Sequence, residues 1–286
     1  MKRPEESGPP NLFYKGEEAK KYARNPHIRV VQHHLAERAL ELLALPERTC
    51  MLLDIGCGSG LSGEVIDAAG HMWVGVDISK DMLRIAKERE DPAPVKGDLM
   101  KLDIGTGVPF STGVFDGAIS ISAVQWLCYS NATSEVPFQR LKRFFLSLYK
   151  SLTMGGRAVL QVYPKDNEQL EMMMAAARNA GFTGGVVTDY PSSTKARKTY
   201  LCLFAGVASH AVKLPEPKLS VEGQVEMHTE RQTGRTGKRR SSGSSMAPEK
   251  GSKEWKFQKK KRQREQGREV TSDSKYSGRK RKSFRW

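Results

Sequence analysis

The chain has 286 residues and a formal net charge of +15 at pH 7, and most of the excess lies in residues 207–286, which hold 22 of the 47 Lys and Arg but 9 of the 32 Asp and Glu. No apolar run reaches the roughly 20 residues of a membrane span, and the start, MKRPEESGPP, lacks the apolar core of a signal peptide. These features exclude an integral membrane protein and predict a soluble, intracellular one whose basic end attracts polyanions such as nucleic acid.

The cysteines form no C-x-x-C pair and have no histidine at zinc-ligand spacing. They are typical of packed thiols in a reducing compartment rather than of a disulfide framework. We therefore expect neither a disulfide nor a metal site among them. They are Cys50, Cys57, Cys128 and Cys202.

In chain order, a polar, proline-rich start precedes one helical pattern from Glu17 to about Leu45, which Pro46 ends. Strands and helices then alternate, with Ser79 as a plausible N-cap of the second helix of this series. The predicted helices cover residues 63–69, 79–90, 138–152 and 167–180. The predicted strands cover residues 50–55, 72–76, 95–99, 115–120, 158–162, 185–189 and 199–204.

This alternation predicts an α/β fold, with a doubly wound, mainly parallel seven-stranded sheet covered on both faces. The last two strands have a short connection, so one of them can enter antiparallel, as a hairpin at the sheet edge. We predict an N-terminal helical extension or lid over residues 1–48, the α/β domain over 49–206, and a basic, largely disordered tail over 207–286. The tail's aromatic residues are either incidental or anchors that order on a partner. They are Trp255, Phe257, Tyr276, Phe284 and Trp286.

The strongest motif is Asp54-Ile-Gly-Cys-Gly-Ser-Gly60, which joins a buried strand to a helix. Glycines permit positive φ and remove Cβ atoms, so a ligand can lie against the backbone at the carboxyl end of the strand. We assign Gly56, Cys57, Gly58 and Gly60 to cofactor binding. Asp54 stands where a carboxylate can receive the ammonium group of a bound methionine moiety, directly or through water.

A dinucleotide cofactor is the rival interpretation, because Gly58-Ser-Gly-Leu-Ser-Gly63 is formally a G-x-G-x-x-G motif. An acid directly before the glycine loop would repel a pyrophosphate, but it suits a cationic sulfonium amino acid. No second dinucleotide-type domain follows in the sequence. The motif therefore favours S-adenosylmethionine.

Two further acidic residues are candidates for the nucleoside. Asp77 ends the second predicted strand, where a carboxylate accepts hydrogen bonds from both ribose hydroxyls. The alternative for Asp77 is a helix N-cap, and its neighbour Ile78 is assigned to the same site. Asp98 is predicted to end the third strand, where it accepts from the adenine amino group while Leu99 packs on the ring. An ordinary loop aspartate is the alternative for Asp98.

The segment SISAVQW, from Ser120 to Trp126, follows the fourth strand, where a methyl-accepting group should lie. The Asn/Asp-Pro-Pro-Tyr/Phe motif of amino-group methylases is absent, and no Cys–His or Lys–Asp arrangement indicates covalent or general-base catalysis. A ring nitrogen such as guanine N7 has no proton to lose and needs only positioning. We assign Ser120 to the cofactor site, and Gln125 and Trp126 as positioning candidates. Trp126 either stacks on the target base or packs against the 138–152 helix.

Several segments together resemble a known family, the eukaryotic 18S ribosomal RNA guanine-N7 methyltransferases. The match in the first 206 residues is carried by GPPNLFY (8–14), LLDIGCGSGLSG (52–63), SISAVQWLC (120–128), AVLQVYP (158–164), GFTGGVVTDYP (181–191) and YLCLF (200–204). The tail segments QGREV (266–270) and YSGRKRK (276–282) are similar to that family's C-terminal end.

The resemblance implies a class I methyltransferase fold and methylation of one guanine in small-subunit rRNA during ribosome assembly. It implies a small zinc-binding activator subunit, which adds to the sheet edge or covers apolar surface and supplies the zinc. It places Tyr14 and Tyr22 on an N-terminal segment folded over the cofactor. It also supports GRKRK (278–282) as a nuclear import signal.

Two alternatives remain open. One is a ribosome assembly factor whose catalysis is dispensable. The other is a methyltransferase for a small molecule or a protein, with the tail serving only as an address.

Overall fold

The computed structural model describes residues 3–89, 94–130, 135–219 and 259–260. Met1–Thr229 forms one compact unit, and Glu230–Trp286 forms a second. In the second unit, Lys259 and Lys260 are described, in helical conformation. The predicted disorder of residues 220–258 and 261–286, the tail aromatics and the GRKRK run lie outside the described residues.

One seven-stranded sheet organises the first unit. Its order is β3-β2-β1-β4-β5-β7-β6, and the first five strands of this order run parallel. This confirms the predicted doubly wound, mainly parallel sheet. The strands are β1 (Met51–Ile55), β2 (Met72–Asp77), β3 (Asp98–Lys101), β4 (Phe115–Ile121), β5 (Leu152–Val162), β6 (Thr183–Asp189) and β7 (Lys198–Phe204).

The last two strands form an antiparallel pair at one end of the sheet, as predicted, but the reversed strand is not itself the edge strand. β7 pairs antiparallel with both β5 and β6, so β6 is the edge strand. The burial of the two strands explains the order. Most of β7 (KTYLCLF) is buried and needs neighbours on both sides, whereas β6 (TGGVVTD) carries two glycines and is largely half-buried or exposed.

Seven helices complete the described part of this unit, with short 3₁₀ turns at Pro4–Glu6, Ile104–Thr106, Val124–Cys128 and Ser209–Ala211. The helices are α1 (Pro10–Phe13), α2 (Glu17–Arg24), α3 (Pro26–Leu43), α4 (Leu61–Ala68), α5 (Lys80–Glu88), α6 (Pro137–Ser151) and α7 (Asn167–Asn179).

The single helix predicted from Glu17 to Leu45 is wrong, because the chain breaks at Asn25. Pro26 has no N–H and cannot continue α2. The Oδ1 of Asn25 instead accepts from the backbone N–H groups of His27 and Ile28, at 3.0 and 3.2 Å, and so caps α3.

Both faces of the sheet are buried. One hydrophobic cluster joins α6 and α7 to the sheet through side chains such as Phe115, Phe144 and Phe145. The other joins α3 and α4 to the opposite face, through side chains such as Leu42 and Trp73. This double coverage leaves the carboxyl ends of β1, β2 and β4 at one open edge, which is where ligands bind in open α/β sheets.

A buried ion pair ties α3 to the edge strand. The Arg38 guanidinium donates to both carboxylate oxygens of Asp189, at 2.9 and 3.1 Å. The same side chains hold the chain after β7, since Arg38 donates to the Glu216 carbonyl and Asp189 accepts from the Lys218 N–H. Ordered contacts therefore continue beyond residue 206, where the tail was predicted to begin, while the boundary at residue 48 stays a prediction.

The four cysteines are buried thiols. Within the described ranges, no helix combines the length and apolar character that a membrane crossing needs.

Candidate active site

A cleft of about 920 Å³, counting its open mouth, lies at the carboxyl ends of β1, β2 and β4. Its floor is the glycine turn after β1, and its two sides are the residues after β2 and β4. Tyr14 and Tyr22 of the N-terminal segment also line it. In the part of the chain that the structure describes, no group of three or more His, Cys, Asp or Glu side chains could hold a metal ion.

The glycine turn approaches its neighbours too closely for side chains. Gly56 has φ +73°, and a Cβ there would lie 2.2 Å from the Cβ of Ala123. Gly58 has φ +54° and faces the cleft. The backbone N–H groups of Gly56 and Cys57 both donate to the Val76 carbonyl, at 2.8 and 3.1 Å. The turn is therefore held against β2, leaving backbone rather than side chains to face a ligand.

Asp54 is fully buried directly before this turn. Its Oδ2 accepts from the Ser62 hydroxyl at 2.6 Å, while its Oδ1 has no partner among the described residues. Burial raises the pKa of Asp54 to about 7, and the Ser62 hydrogen bond opposes that rise. A buried acceptor without a donor is costly, so this oxygen fits a cationic donor supplied by a ligand.

Asp77 lies at the end of β2 and lines the cleft, as predicted. Its Oδ2 accepts from the Gly58 N–H at 2.9 Å and its Oδ1 from the Ser79 N–H at 2.7 Å. Burial raises its pKa to about 6, against these backbone hydrogen bonds. A carboxylate offers about four lone-pair sites, so Asp77 can still accept from two ligand hydroxyls. The N-cap of α5 is Ser79, which removes the alternative role for Asp77.

The prediction that Asp98 ends the third strand is wrong. Asp98 begins β3 and pairs with Val74, and Leu99 follows it within the strand. The strand ends at Lys101, opposite Asp77. Asp98 and Leu99 are therefore absent from the described residues that line the cleft.

Leu102, Asp103 and Ile104 line the cleft instead, directly after β3. Both carboxylate oxygens of Asp103 accept from Arg140, at 2.8 and 2.9 Å, and one also accepts from the Gly105 N–H. These residues were missed because the strand was placed three residues early. Asp103-Ile-Gly105, an aspartate before a turn glycine, is the signal that could have marked the true strand end.

The residues predicted to form the site at the end of β4 and in the loop after it fall into two groups, those buried in the protein and those that line the cleft. The Ser120 hydroxyl donates to the Ile55 carbonyl at 2.8 Å, across β1 and β4, so it is buried away from the cleft. Gln125 is also buried, at 2 % exposure, and its Nε2 donates to Glu5 and to the Ser122 carbonyl. Trp126 lines the cleft, together with Ser122 and Ala123.

Aromatic side chains from two parts of the chain meet above the cleft. The Tyr14 ring lies 5.9 Å from the Trp126 ring and 5.3 Å from the Tyr22 ring, centroid to centroid, and Phe13 also contacts Trp126. Burial raises the pKa of both tyrosines, so their hydroxyls stay neutral. Trp126 thus packs on the N-terminal segment while lining the cleft, which leaves base stacking open.

Comparison with known proteins gives two matching family models. The model described as "Methyltransferase domain" matches residues 53–160, which include the glycine turn and the loop after β4. The model described as "Methyltransferase involved in Williams-Beuren syndrome" matches residues 203–283.

Three curated relatives match over nearly the whole chain. The 18S rRNA (guanine-N(7))-methyltransferase of Mus musculus is 52 % identical, covering 98 % of this chain and 97 % of its own. That of Bos taurus is 50 % identical with the same coverage. The probable 18S rRNA (guanine-N(7))-methyltransferase of Dictyostelium discoideum is 48 % identical, covering 98 % of this chain and 99 % of its own.

These matches include both the α/β unit and the basic C-terminal residues, and they confirm the resemblance, the methyltransferase class and the class I fold expected from the sequence. The chain belongs to the family of 18S rRNA (guanine-N(7))-methyltransferases.

Proposed function

We propose that this chain transfers the methyl group of S-adenosylmethionine to N7 of a guanine in 18S rRNA during assembly of the small ribosomal subunit. The observation that carries the proposal is the unpartnered, buried oxygen of Asp54 beside the glycine turn. Asp54 is not itself among the described residues that line the cleft, but its hydrogen-bond partner Ser62 is, together with Gly56 and Trp126. An acceptor directly behind this wall fits a cationic amino-acid cofactor, and Trp126 fits an aromatic acceptor. The relatives' names give methylation of guanine N7 in 18S rRNA for those proteins, as probable in the case of Dictyostelium discoideum.

The residues of the cleft fit this cofactor in three places. Asp54 would receive the ammonium group, and Asp77 would accept from the ribose hydroxyls. Ile78, Leu102 and Ile104 line the cleft and would hold the adenine by apolar contact. When bound, S-adenosylmethionine supplies an electrophilic methyl group on a sulfonium centre.

A pyrophosphate cofactor fits the same residues poorly. Asp54 is buried directly before the glycine turn, and its carboxylate would repel negative charge placed against that turn. A dinucleotide would place two phosphates against that turn. The sign of the charge therefore favours a sulfonium ligand over NAD.

The acceptor side of the cleft suits a nucleophile that needs no base. Ser122, Ala123 and Trp126 line it, and none of them is a base at neutral pH. Guanine N7 carries a free lone pair, so the chain has only to orient the ring, exclude water and tolerate a cationic product. The faces of Trp126 and the neutral Tyr14 favour positive charge on the base.

The partner and the location are inferred from the resemblance and from the charge of the tail. We infer a small zinc-binding activator subunit, because the resemblance implies one and β3 leaves a free edge in the described sheet. We also infer action on rRNA in pre-40S particles in the nucleus, with GRKRK (278–282) as the import signal and the basic tail contacting rRNA phosphates.

The methyl mark itself is the test of the proposed function. In cells that lack their own enzyme, the full-length protein should restore N7-methylguanine in 18S rRNA. The modified base is mapped by cleavage of the rRNA at that position. Gly58→Glu places a carboxylate in the cleft at φ +54° and should abolish the mark. If Gly58→Glu restored N7-methylguanine in 18S rRNA, the assignment of the glycine turn to the cofactor site would be contradicted. Growth rescue by Gly58→Glu without the mark would support the assembly-factor alternative.

Cofactor affinity should depend on the charge of Asp54. Because its pKa in the free protein is about 7, S-adenosylmethionine binding should weaken by up to roughly tenfold from pH 8 to pH 6, as the carboxylate takes up a proton. The stability of the free protein should change in the opposite sense. A carboxyl whose folded pKa is raised stabilises the fold less as pH rises through the window between about 4 and 7.

Isothermal titration of wild type and Asp54→Asn measures this effect, and the difference between the two proteins removes the titration of the ligand itself. Asp54→Asn should bind weakly at both pH values. Asp116→Asn is the control, since that carboxylate pairs with Arg48 and its pKa is lowered. It should retain the wild-type pH dependence. Equal pH dependence in Asp54→Asn would rule out Asp54 as the ammonium acceptor.

The corrected end of β3 gives a paired prediction. Asp103→Ala should weaken S-adenosylmethionine binding by about tenfold, because it removes the hydrogen bonds to Arg140 and Gly105 that hold the turn after β3 against the cleft. Asp98→Ala, at the far end of the same strand, should bind as wild type does. Binding constants and melting temperatures of both variants check the prediction. Weaker cofactor binding in Asp98→Ala, with wild-type binding in Asp103→Ala, would instead support the sequence-based assignment of Asp98 to the adenine.

A further inference from the structure

The 3₁₀ turn Pro4–Glu6 places a buried carboxylate against the loop after β4. Glu5 is only 8 % exposed, and its Oε1 accepts from Nε2 of Gln125 at 3.0 Å. No ion pair to Glu5 is present within residues 3–89, 94–130 and 135–219. Burying a carboxylate without a cation is unfavourable for folding, so the position of Glu5 calls for a role other than stability.

Gln125 connects Glu5 to the wall of the cleft. Its Nε2 also donates to the Ser122 carbonyl at 2.9 Å. An amide NH₂ has two hydrogens, so Glu5 and Ser122 together use both. The side chain of Gln125 is 2 % exposed and its orientation is fixed by this pair of bonds.

Ser122 is held in a backbone conformation that it would not adopt by itself. Its φ is +57°, in the left-handed region that a non-glycine residue rarely occupies. Every polar group of Ser122 is engaged. The N–H donates to the Gln161 carbonyl at 3.1 Å and the hydroxyl to Oε1 of Gln161 at 2.7 Å, while the carbonyl accepts from Gln125. Strain of this kind persists only where the surroundings enforce it.

The strained residue shapes the acceptor side of the cleft. Ser122 and Ala123 line the cleft beside Trp126. Ala123 already lies so close to Gly56 that a Cβ on Gly56 would overlap it, at 2.2 Å. The loop is thus limited on one side by the glycine turn, and on the other by the bonds to Gln125 and Gln161.

We propose that Glu5 is a positioning residue for methyl transfer, which acts through Gln125 to hold Ser122 and with it the acceptor wall of the cleft. The proposal rests on the proposed function and adds a positioning residue to it. The N-terminal segment that carries Glu5 also carries Tyr14 and Tyr22, which line the cleft. Tyr14 is held by its own contact to Ser79, so the bond from Gln125 to Glu5 acts on the acceptor side of the cleft.

The test uses the full-length chain with small ribosomal subunits from cells that lack their own enzyme. Glu5→Ala should lower kcat about tenfold by misplacing the acceptor wall, while the Kd for S-adenosylmethionine stays within about twofold. Glu5→Gln should recover most of kcat, because its carboxamide oxygen can accept the same bond from Gln125. Glu17→Ala is the matched control, an exposed carboxylate of the same segment that contacts Lys20, and should behave as wild type.

Three results would overturn the proposal. These are a wild-type kcat for Glu5→Ala, a Glu5→Gln protein no faster than Glu5→Ala, and a loss that follows cofactor affinity instead of kcat. A wild-type chain that binds S-adenosylmethionine but leaves the subunits unmethylated would overturn the proposed function itself. The two failures are therefore distinguishable.

A second variant covers the case in which Glu5→Ala fails to fold. Gln125→Met keeps the length of the side chain and removes both donors, so it should lower kcat to a similar extent. The double variant Glu5→Ala/Gln125→Met should be no slower than Gln125→Met alone, since both changes break one chain of bonds. If the losses in kcat of the two single variants multiplied in the double variant, the proposed series of hydrogen bonds from Glu5 through Gln125 to Ser122 would be contradicted.

Discussion

The burial of Asp54 at the end of β1 is the constraint on which the rest of the site depends. Its carboxylate has one internal donor, the Ser62 hydroxyl, and one oxygen without a partner among the described residues. The glycine turn that follows lines the cleft with backbone rather than with side chains. In the proposed function, a ligand that brings a cationic donor would relieve the cost of burial, and Asp77 would orient the same ligand.

The N-terminal segment turns this open edge of a sheet into an enclosed site. It is held by polar contacts to the main unit, in which Ser79 donates its hydroxyl to the Tyr14 carbonyl and Asp81 accepts from the Gly16 N–H. Its aromatic rings meet Trp126 above the cleft. The cofactor side and the acceptor side of the proposed site thus share one cover.

Local signals in the sequence were sufficient for the parts of the fold that depend on local physics. The alternation of strands and helices predicted the mainly parallel sheet. The position of Asp77 at the end of an apolar strand predicted that it lines the cleft. Ser79 was recognised as an N-cap because capping depends on a short stretch of chain. The end of α2 before Asn25 carries an Asn-Pro signal of the same local kind. The apolar periodicity on both sides of this signal led to the prediction of one continuous helix.

Features that depend on pairing between distant residues could not be predicted in this way. The end of β3 is set by its register with β2, so Asp98 was placed at the wrong end and Asp103 was missed. The insertion of β7 between β5 and β6 is decided by burial on both faces of the sheet. Glu5 contacts Gln125 across 120 residues of sequence, and nothing near Glu5 in the chain indicates that contact.

The most direct test of this account is a calorimetric titration of the full-length protein with S-adenosylmethionine and, separately, with NAD. The account predicts saturable binding of S-adenosylmethionine at one site, at least tenfold weaker in Asp77→Ala, and no binding of NAD. Saturable binding of NAD without binding of S-adenosylmethionine would contradict it.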